Sequence, residues 1–528
     1  MQKKTLSILS FLVLLLLMNE CVCATVIVPV KEDVAFWSPK IKSMEKRLQL
    51  AKRSGPELIV FLRQMPKGGD LHNHLSGATY SDFMLDSARK NSLNYNLTTN
   101  LFTAEPIIDG KIISLDTLES NNIYLAQFKN IYSMRGWHSN TIDGHDLFFN
   151  TFGYMNSSGR TVEEMLLEVV KRNLYENVQY LEVMVQSIPD PLHDEFKSAL
   201  ETFDMEDLES AYIQLKNKLA DTDIVTPITQ NINSREKVLR DNGIIPGDRI
   251  DVRYIQQLCR ASSTAKGFFI DTFLYMAAMQ ADQRIVAINM VQAEDAPGSR
   301  RNFDDQMAIV DFLWQRMGKP TISLHAGELV LRDSPVESMQ NRIQDSISKG
   351  HARRIGHGVA VAWEERVMDL LSRMRDKKIL VEICLSSNAS ILGVEGNEHP
   401  FILYRRANVP VAICTDDEGV SRSNLTVEYS KAVMTYDLSY ADLITLARNS
   451  LEFSFMQGES LYINQSYAMI RPEFDGVRNL IWQPGEVARK LMEANPKLKR
   501  EVMLEREIIA FEESFRRTTQ VLKSQNSE

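Results

Sequence analysis

Eight short runs rich in β-branched and apolar residues recur along the chain, alternating with amphipathic helical stretches. They are Gly69–Leu75, Val178–Val185, Ile250–Arg260, Ile285–Val291, Thr321–His325, Arg354–Gly358, Ile379–Leu385 and Val409–Thr415. Runs of this kind suit parallel strands covered on both faces. Eight of them, each separated from the next by helical sequence, predict an α/β fold of the (β/α)8 barrel type; a doubly wound open sheet is the structural competitor. A chain of 528 residues is long enough to close one large core of this kind. The gaps after the first and second runs are long, which places insertions there. No internal repeat, Walker loop or dinucleotide fingerprint interrupts the pattern.

Around the barrel segment, 66–483, three other regions are legible. Lys3 and Lys4 precede the apolar run Leu6 to Met18, and Val22-Cys23-Ala24 offers small residues for cleavage, so residues 1–24 read as a signal peptide. A membrane anchor needs roughly 20 apolar residues, and this run is shorter. The chain is therefore expected to be exported, either secreted or periplasmic, with no membrane partner once the signal is removed. Residues 25–65 read as an N-terminal helical arm, with helix starts at Ser38-Pro39 and Gly55-Pro56. Its apolar positions Ile41, Met44, Leu48, Leu58, Val60 and Leu62 need cover, either from the barrel or from a second copy of the chain. Residues 484–528 form a strongly charged helical tail, expected to be a solvated surface helix. With Lys+Arg at 60 against Asp+Glu at 69, the formal charge is −9, and no basic surplus exists for a nucleic-acid partner. Past the signal only Cys259, Cys384 and Cys414 remain. Three scattered cysteines make no disulfide framework and no Cys-x-x-Cys metal site, and they read as buried thiols.

The chemistry concentrates at the ends of the runs. His72 and His74 stand two apart on the first, so both rings leave the same face of a strand. The fifth run leads into His325-Ala326-Gly327-Glu328, the sixth carries His357, and the eighth leads into Asp416-Asp417. In a barrel these positions meet at the C-terminal mouth. His72, His74, His325 and Asp416 offer three neutral nitrogens and one carboxylate with room for a water, a set suited to zinc. Such an ion lowers the pKa of its water toward about 7. His357 is then left as a base and Glu328 as an acid, with Asp417 free for substrate. His138, His145, His193, His351 and His399 belong to no such pattern and read as ordinary residues.

The segments Met65-Pro66-Lys67-Gly68-Gly69-Asp70-Leu71-His72-Asn73-His74-Leu75, Ser323-Leu324-His325-Ala326-Gly327-Glu328, Arg354-Ile355-Gly356-His357-Gly358, Ser386-Ser387-Asn388 and Thr415-Asp416-Asp417 resemble the adenosine deaminase family. The arm and the Met-Pro-Lys-Gly lead-in look most like its secreted branch, the adenosine deaminase-related growth factors. The resemblance covers about residues 38 to 470. It implies a barrel of the metal-dependent amidohydrolase type and zinc-dependent hydrolysis of adenosine, with 2′-deoxyadenosine a further candidate, to inosine and ammonia. It also implies that His72, His74, His325 and Asp416 bind one zinc ion. Two-metal relatives carry a bridging Lys or Glu on the fourth strand, and Ile285–Val291 has neither. Glu328 would protonate purine N1, His357 would orient and deprotonate the water, and Asp417 would bind N7. Ser76 stands where relatives carry an Asp for the ribose 5′-hydroxyl, and Gln292 where they carry a Gly whose N–H meets N3. The partner is thus a small purine nucleoside, and the growth-factor branch implies a homodimer through the arm. The alternatives are a deaminase of another adenine compound, or a secreted signalling or binding protein of the same fold.

Overall fold

A computed structural model describes residues 40–139 and 143–525; the expected signal peptide, residues 1–24, and the first part of the arm lie outside them. Eight parallel strands form the centre: β1 (Gly68–His74), β2 (Val178–Met184), β3 (Asp251–Cys259), β4 (Ile285–Val291), β5 (Ser323–Ala326), β6 (Arg354–His357), β7 (Leu380–Ile383) and β8 (Val411–Ile413). They pair in chain order as two four-stranded sheets. Parallel bridges Ile288↔Ile322 and Asn73↔Asp416 join the sheets at both seams and close the ring. Every residue of β1, β2, β4 and β5 is buried, as expected of strands with side chains inside the ring and helices outside it. The chain is a (β/α)8 barrel, and the predicted runs locate all eight strands to within a few residues at each end.

Both long gaps hold extra structure. The segment between β1 and β2 carries a small antiparallel sheet (Asn94–Asn96, Leu101–Thr103, Ile112–Ile113) and several helices, with an aromatic cluster of its own. Phe128 anchors that cluster, its ring 4.5 Å from Tyr132 and 5.7 Å from both Tyr95 and Phe102. Between β2 and β3 stand helices Asp190–Ala199, Leu208–Ala220 and Val225–Asp241. Among the described residues no helix is long and apolar enough to cross a membrane. Cys384 and Cys414 are buried just past β7 and β8, whereas Cys259, at the end of β3, is only half-buried; all three are free.

The arm and the tail pack on one another. Helix α1 (Ile41–Ala51) buries Met44, Leu48 and Ala51, and α2 (Gly55–Gln64) buries Leu58, Phe61 and Leu62. Ser54 caps α2 by accepting from Glu57 N–H, and Pro56 sits in its first turn, where no N–H is missed. Val60, expected to be covered, is 49% exposed; Phe61 faces inward in its place. The Phe61 ring lies 5.3 Å from Phe511 and 6.3 Å from Tyr440, so the arm covers its apolar face on its own chain. The last helix, Pro496–Gln525, is not the solvated helix its charge suggested. Leu498, Val502, Leu504, Ile508 and Phe511 are buried, and so are Arg500, Glu501, Glu505 and Glu512. Arg500 and Glu505 are paired inside: Arg448 donates to Glu505 at 2.8 Å, Arg478 at 2.8 Å, and Arg500 donates to Asp251 at 2.6 Å; Glu501 accepts Leu461 N–H and Glu512 the Tyr440 hydroxyl. Phe61→Ala should cost about 3–5 kcal/mol of stability in urea unfolding. Val60→Ala, one residue away but exposed, should change it by less than about 0.5 kcal/mol.

Candidate active site

The predicted residues converge at the C-terminal mouth of the barrel. His72 and His74 leave the end of β1, His325 lies on β5, His357 ends β6, and Asp416 and Asp417 follow β8. Three site positions depart from strand geometry at these ends: His357, Asp416 and Gln292 have φ of +65°, +60° and +78°. Left-handed backbone at a residue with a Cβ costs about 1–3 kcal/mol, and such strain collects where side chains must be aimed.

Three imidazoles share one orientation. Nδ1 of His72 donates to Glu382 Oε2 (2.6 Å), that of His74 to Gln257 Oε1 (3.0 Å), and that of His325 to Asn289 Oδ1 (2.8 Å). The Asn289 oxygen is fixed independently, because it also accepts the backbone N–H of His325 at 2.9 Å. With Nδ1 protonated in each ring, the three Nε2 atoms present lone pairs. Those of His72 and His74 both lie 3.1 Å from that of His325, and both lie 3.4 Å from Asp416 Oδ1. Four atoms able to offer lone pairs converge here, a concentration of acceptors that calls for positive charge; the residues fit a metal. The same demand for positive charge acts on His72: burial opposes its charge, but Asp416 and Glu382 outweigh it and hold the ring up at about 10. Burial pushes His74 and His325 the other way, downward. Outer partners of metal-binding His rings usually carry 10–100-fold in metal affinity. Glu382→Gln is therefore expected to weaken binding by about that factor, read by competition with a chelator.

Around this cluster lie the other candidates. Glu328 is buried, and burial, with help from Asp416, pushes its carboxyl up to about 8. Its Oε1 lies 3.6 Å from His357 Nδ1, and its N–H donates to Glu294 Oε2. Burial and the neighbouring Asp416 also raise Asp417 well above its ordinary value, and its buried Oδ1 has no hydrogen-bond partner among the described residues. Gly77 is required beside it, since a Cβ there would meet that oxygen at 1.7 Å. Ser76 lines the cavity, and its carbonyl accepts from Arg160. Gln292 also lines it, but the side-chain oxygen turns aside to accept from Ala261 N–H (2.9 Å) and Ser262 N–H (3.2 Å).

The cavity above the cluster measures about 490 Å³ and is walled by Phe148, Phe149 and Phe152 of helix Gly144–Met155 and by Ile391. His145, which the sequence left as ordinary, stands on its rim. Its Nε2 donates to Asp295 at 3.0 Å, and that contact raises it to about 9. His399, also left as ordinary, is buried behind the site and bonded to Asn388. His138, His193 and His351 do not line the cavity. Glu382 alone carried a signal that could have been noticed, a charge inside an otherwise apolar strand.

A family model described as adenosine deaminase matches residues 148–462. An adenosine deaminase of Clostridium perfringens is 28% identical over 182 residues, 34% of this chain and 51% of that protein. One from Enterococcus faecalis is 32% identical over 165 residues, 31% of this chain and 44% of that protein. The chain thus spans about half the length of the curated relatives it matches. Among solved structures, the N6-mAMP deaminase of arabidopsis aligns with a TM-score of 0.48 and 20% identity, covering 75% of this chain and 96% of that one.

Proposed function

The chain belongs to the adenosine deaminase family, and on that premise we propose that it hydrolyses adenosine, with 2′-deoxyadenosine as a second substrate, to the inosine product and ammonia. The observation that carries this reading is the convergence of four potential lone-pair donors on the cavity floor, beside two carboxyls that burial pushes upward. His72, His74, His325 and Asp416 would hold one ion, zinc being favoured by the mixed nitrogen and oxygen donors. When bound, such an ion is a Lewis acid that lets a water lose its proton near neutral pH.

The remaining steps belong to the chain's own residues. Glu328, protonated at neutral pH, is placed to give its proton to N1 of the purine, which leaves C6 short of electrons. Asp417, whose carboxyl burial and Asp416 push upward, would donate a hydrogen bond to N7 in its protonated form and hold the ring in register. His357 presents Nε2, buried and without a partner among the described residues, to the side of C6 from which water attacks. The phenylalanine wall excludes bulk water from the purine. The oxygen of water bonds to C6, one of its protons restores the Glu328 carboxyl, the other passes to the amino nitrogen as the C6–N bond breaks, and ammonia leaves with C6 as a carbonyl.

The lining supports a neutral substrate. Among the described residues it contains Glu328, Asp416 and Asp417 but no Lys or Arg, and His145 is already paired with Asp295. A phosphate there would be a buried charge without a partner. At the sugar end Ser76 offers a neutral hydrogen bond, worth about 0.5–1.5 kcal/mol against about 1.5–3 for a charged one. Loss of adenine absorbance should therefore show rapid turnover of adenosine, at least a hundredfold slower turnover of AMP, and less than a tenfold loss in kcat/KM for 5′-deoxyadenosine. Preference for AMP or free adenine would replace the substrate reading, and no turnover of any adenine compound would end it. We also propose export of the chain, on the strength of residues 1–24; the N-terminus of the mature protein tests it.

A further inference from the structure

We propose that Asn388 and His399 are positioning residues that hold His357 as the tautomer with its proton on Nε2, facing the cavity. Asn388 sits on helix Leu385–Leu392 directly after β7, and His399 in the connection that leads to helix Phe401–Arg406; both are buried. The argument starts from a donor that cannot be reversed. The backbone N–H of Phe401 donates to His399 Nδ1 at 3.1 Å, so that nitrogen must carry a lone pair. Burial keeps His399 uncharged, pushed down to about 4, and its single proton is therefore on Nε2.

That Nε2 lies 3.0 Å from Asn388 Oδ1 and donates to it, which fixes which end of the amide faces which ring. The other end, Nδ2, then has to donate to His357 Nδ1, 3.0 Å away. His357 Nδ1 is thereby an acceptor, and the neutral ring keeps its proton on Nε2. This atom is 4.0 Å from Asp416 Oδ2 and has no hydrogen-bond partner among the described residues. His357 accordingly enters the reaction as a donor at Nε2, holding the attacking oxygen on line with C6, and the proton that oxygen sheds goes to the carboxylate left on Glu328 once N1 is protonated. The chain of bonds runs opposite in sense to that of His72, His74 and His325, whose Nδ1 atoms all face acceptors. One mouth thus holds two kinds of imidazole, and the residue behind Nδ1 decides which kind each is.

This inference rests on the proposed deamination for its consequence but not for its test. In holoenzyme labelled with ¹⁵N-histidine, long-range ¹H–¹⁵N correlation distinguishes protonated from bare ring nitrogens. The signals lost in His357→Asn identify that ring. The wild type should show a protonated Nε2 and a bare Nδ1 at His357. Asn388→Asp supplies an acceptor to both rings, so the proton should move to His357 Nδ1, with kcat falling about 10²-fold and KM changing less than threefold. His399→Leu frees the amide to turn and should give a similar swap, whereas His399→Gln keeps a donor toward Asn388 and should restore the wild-type spectrum and most of kcat. A bare Nε2 in the wild type overturns the proposal, even if neither variant folds. So does an unmoved proton or an unchanged kcat in Asn388→Asp. If adenosine is not deaminated but the spectra behave as expected, the relay stands and only the substrate reading fails.

Discussion

Glu328→Gln should lower kcat on adenosine by about 10²–10⁴-fold, the range carried by a well-placed general acid, while the protein keeps its full complement of metal. The substitution is nearly isosteric, and the backbone N–H that Glu328 gives to Glu294 is retained. What it removes is the proton that burial and Asp416 keep on the carboxyl up to about pH 8. A Gln side chain still donates a hydrogen bond toward the purine but cannot transfer a proton to it, so the loss should fall on kcat with KM little changed. Turnover and metal content are measured on the same preparation. A fully active Glu328→Gln protein removes Glu328 from the acid role.

Removing a proposed metal ligand should cost more. His325→Ala takes away the nitrogen that lies 3.1 Å from both other Nε2 atoms and leaves the rest of the donor set open on one side. Turnover should fall beyond the loss in Glu328→Gln, past about 10⁴-fold, because the change in water acidity from about 15.7 to about 7 is lost altogether. Metal analysis should show the ion gone together with the activity. Stripping the wild type with a chelator should have the same effect, with activity restored by added zinc; the variant should not recover. Good turnover from a metal-free preparation would exclude the metal reading of this cluster.

The two substitutions separate because two kinds of information meet in the site. That His72 and His74 share a face follows from strand geometry within three residues, and the arrival of His325, His357 and Asp416 at one mouth follows from strands repeating in order around a ring. Such features are local or periodic, and the sequence carries them directly. The fold class and the residues proposed as ligands and acid were legible for that reason, and the segments that carry the family resemblance are these same strand ends.

The electronic state of each group was not legible. The partner that sets the tautomer of His72 lies 310 residues away, that of His74 183 away, and that of His325 36 away, each brought close only by the closing of the barrel. His399 and His145 looked ordinary because their partners come from other elements, and the last helix looked solvated because a sequence shows how many charges a helix has but not whether they are paired. Arg448, Arg478 and Arg500 turn its acidic and basic residues into buried contacts. The sequence by itself determined the ring of strands and the residues at its mouth, since backbone periodicity and residue type decide those. Only the tertiary structure decided which nitrogen carries each proton and which charges are inside, because hydrogen bonding and desolvation depend on neighbours that chain order does not reveal.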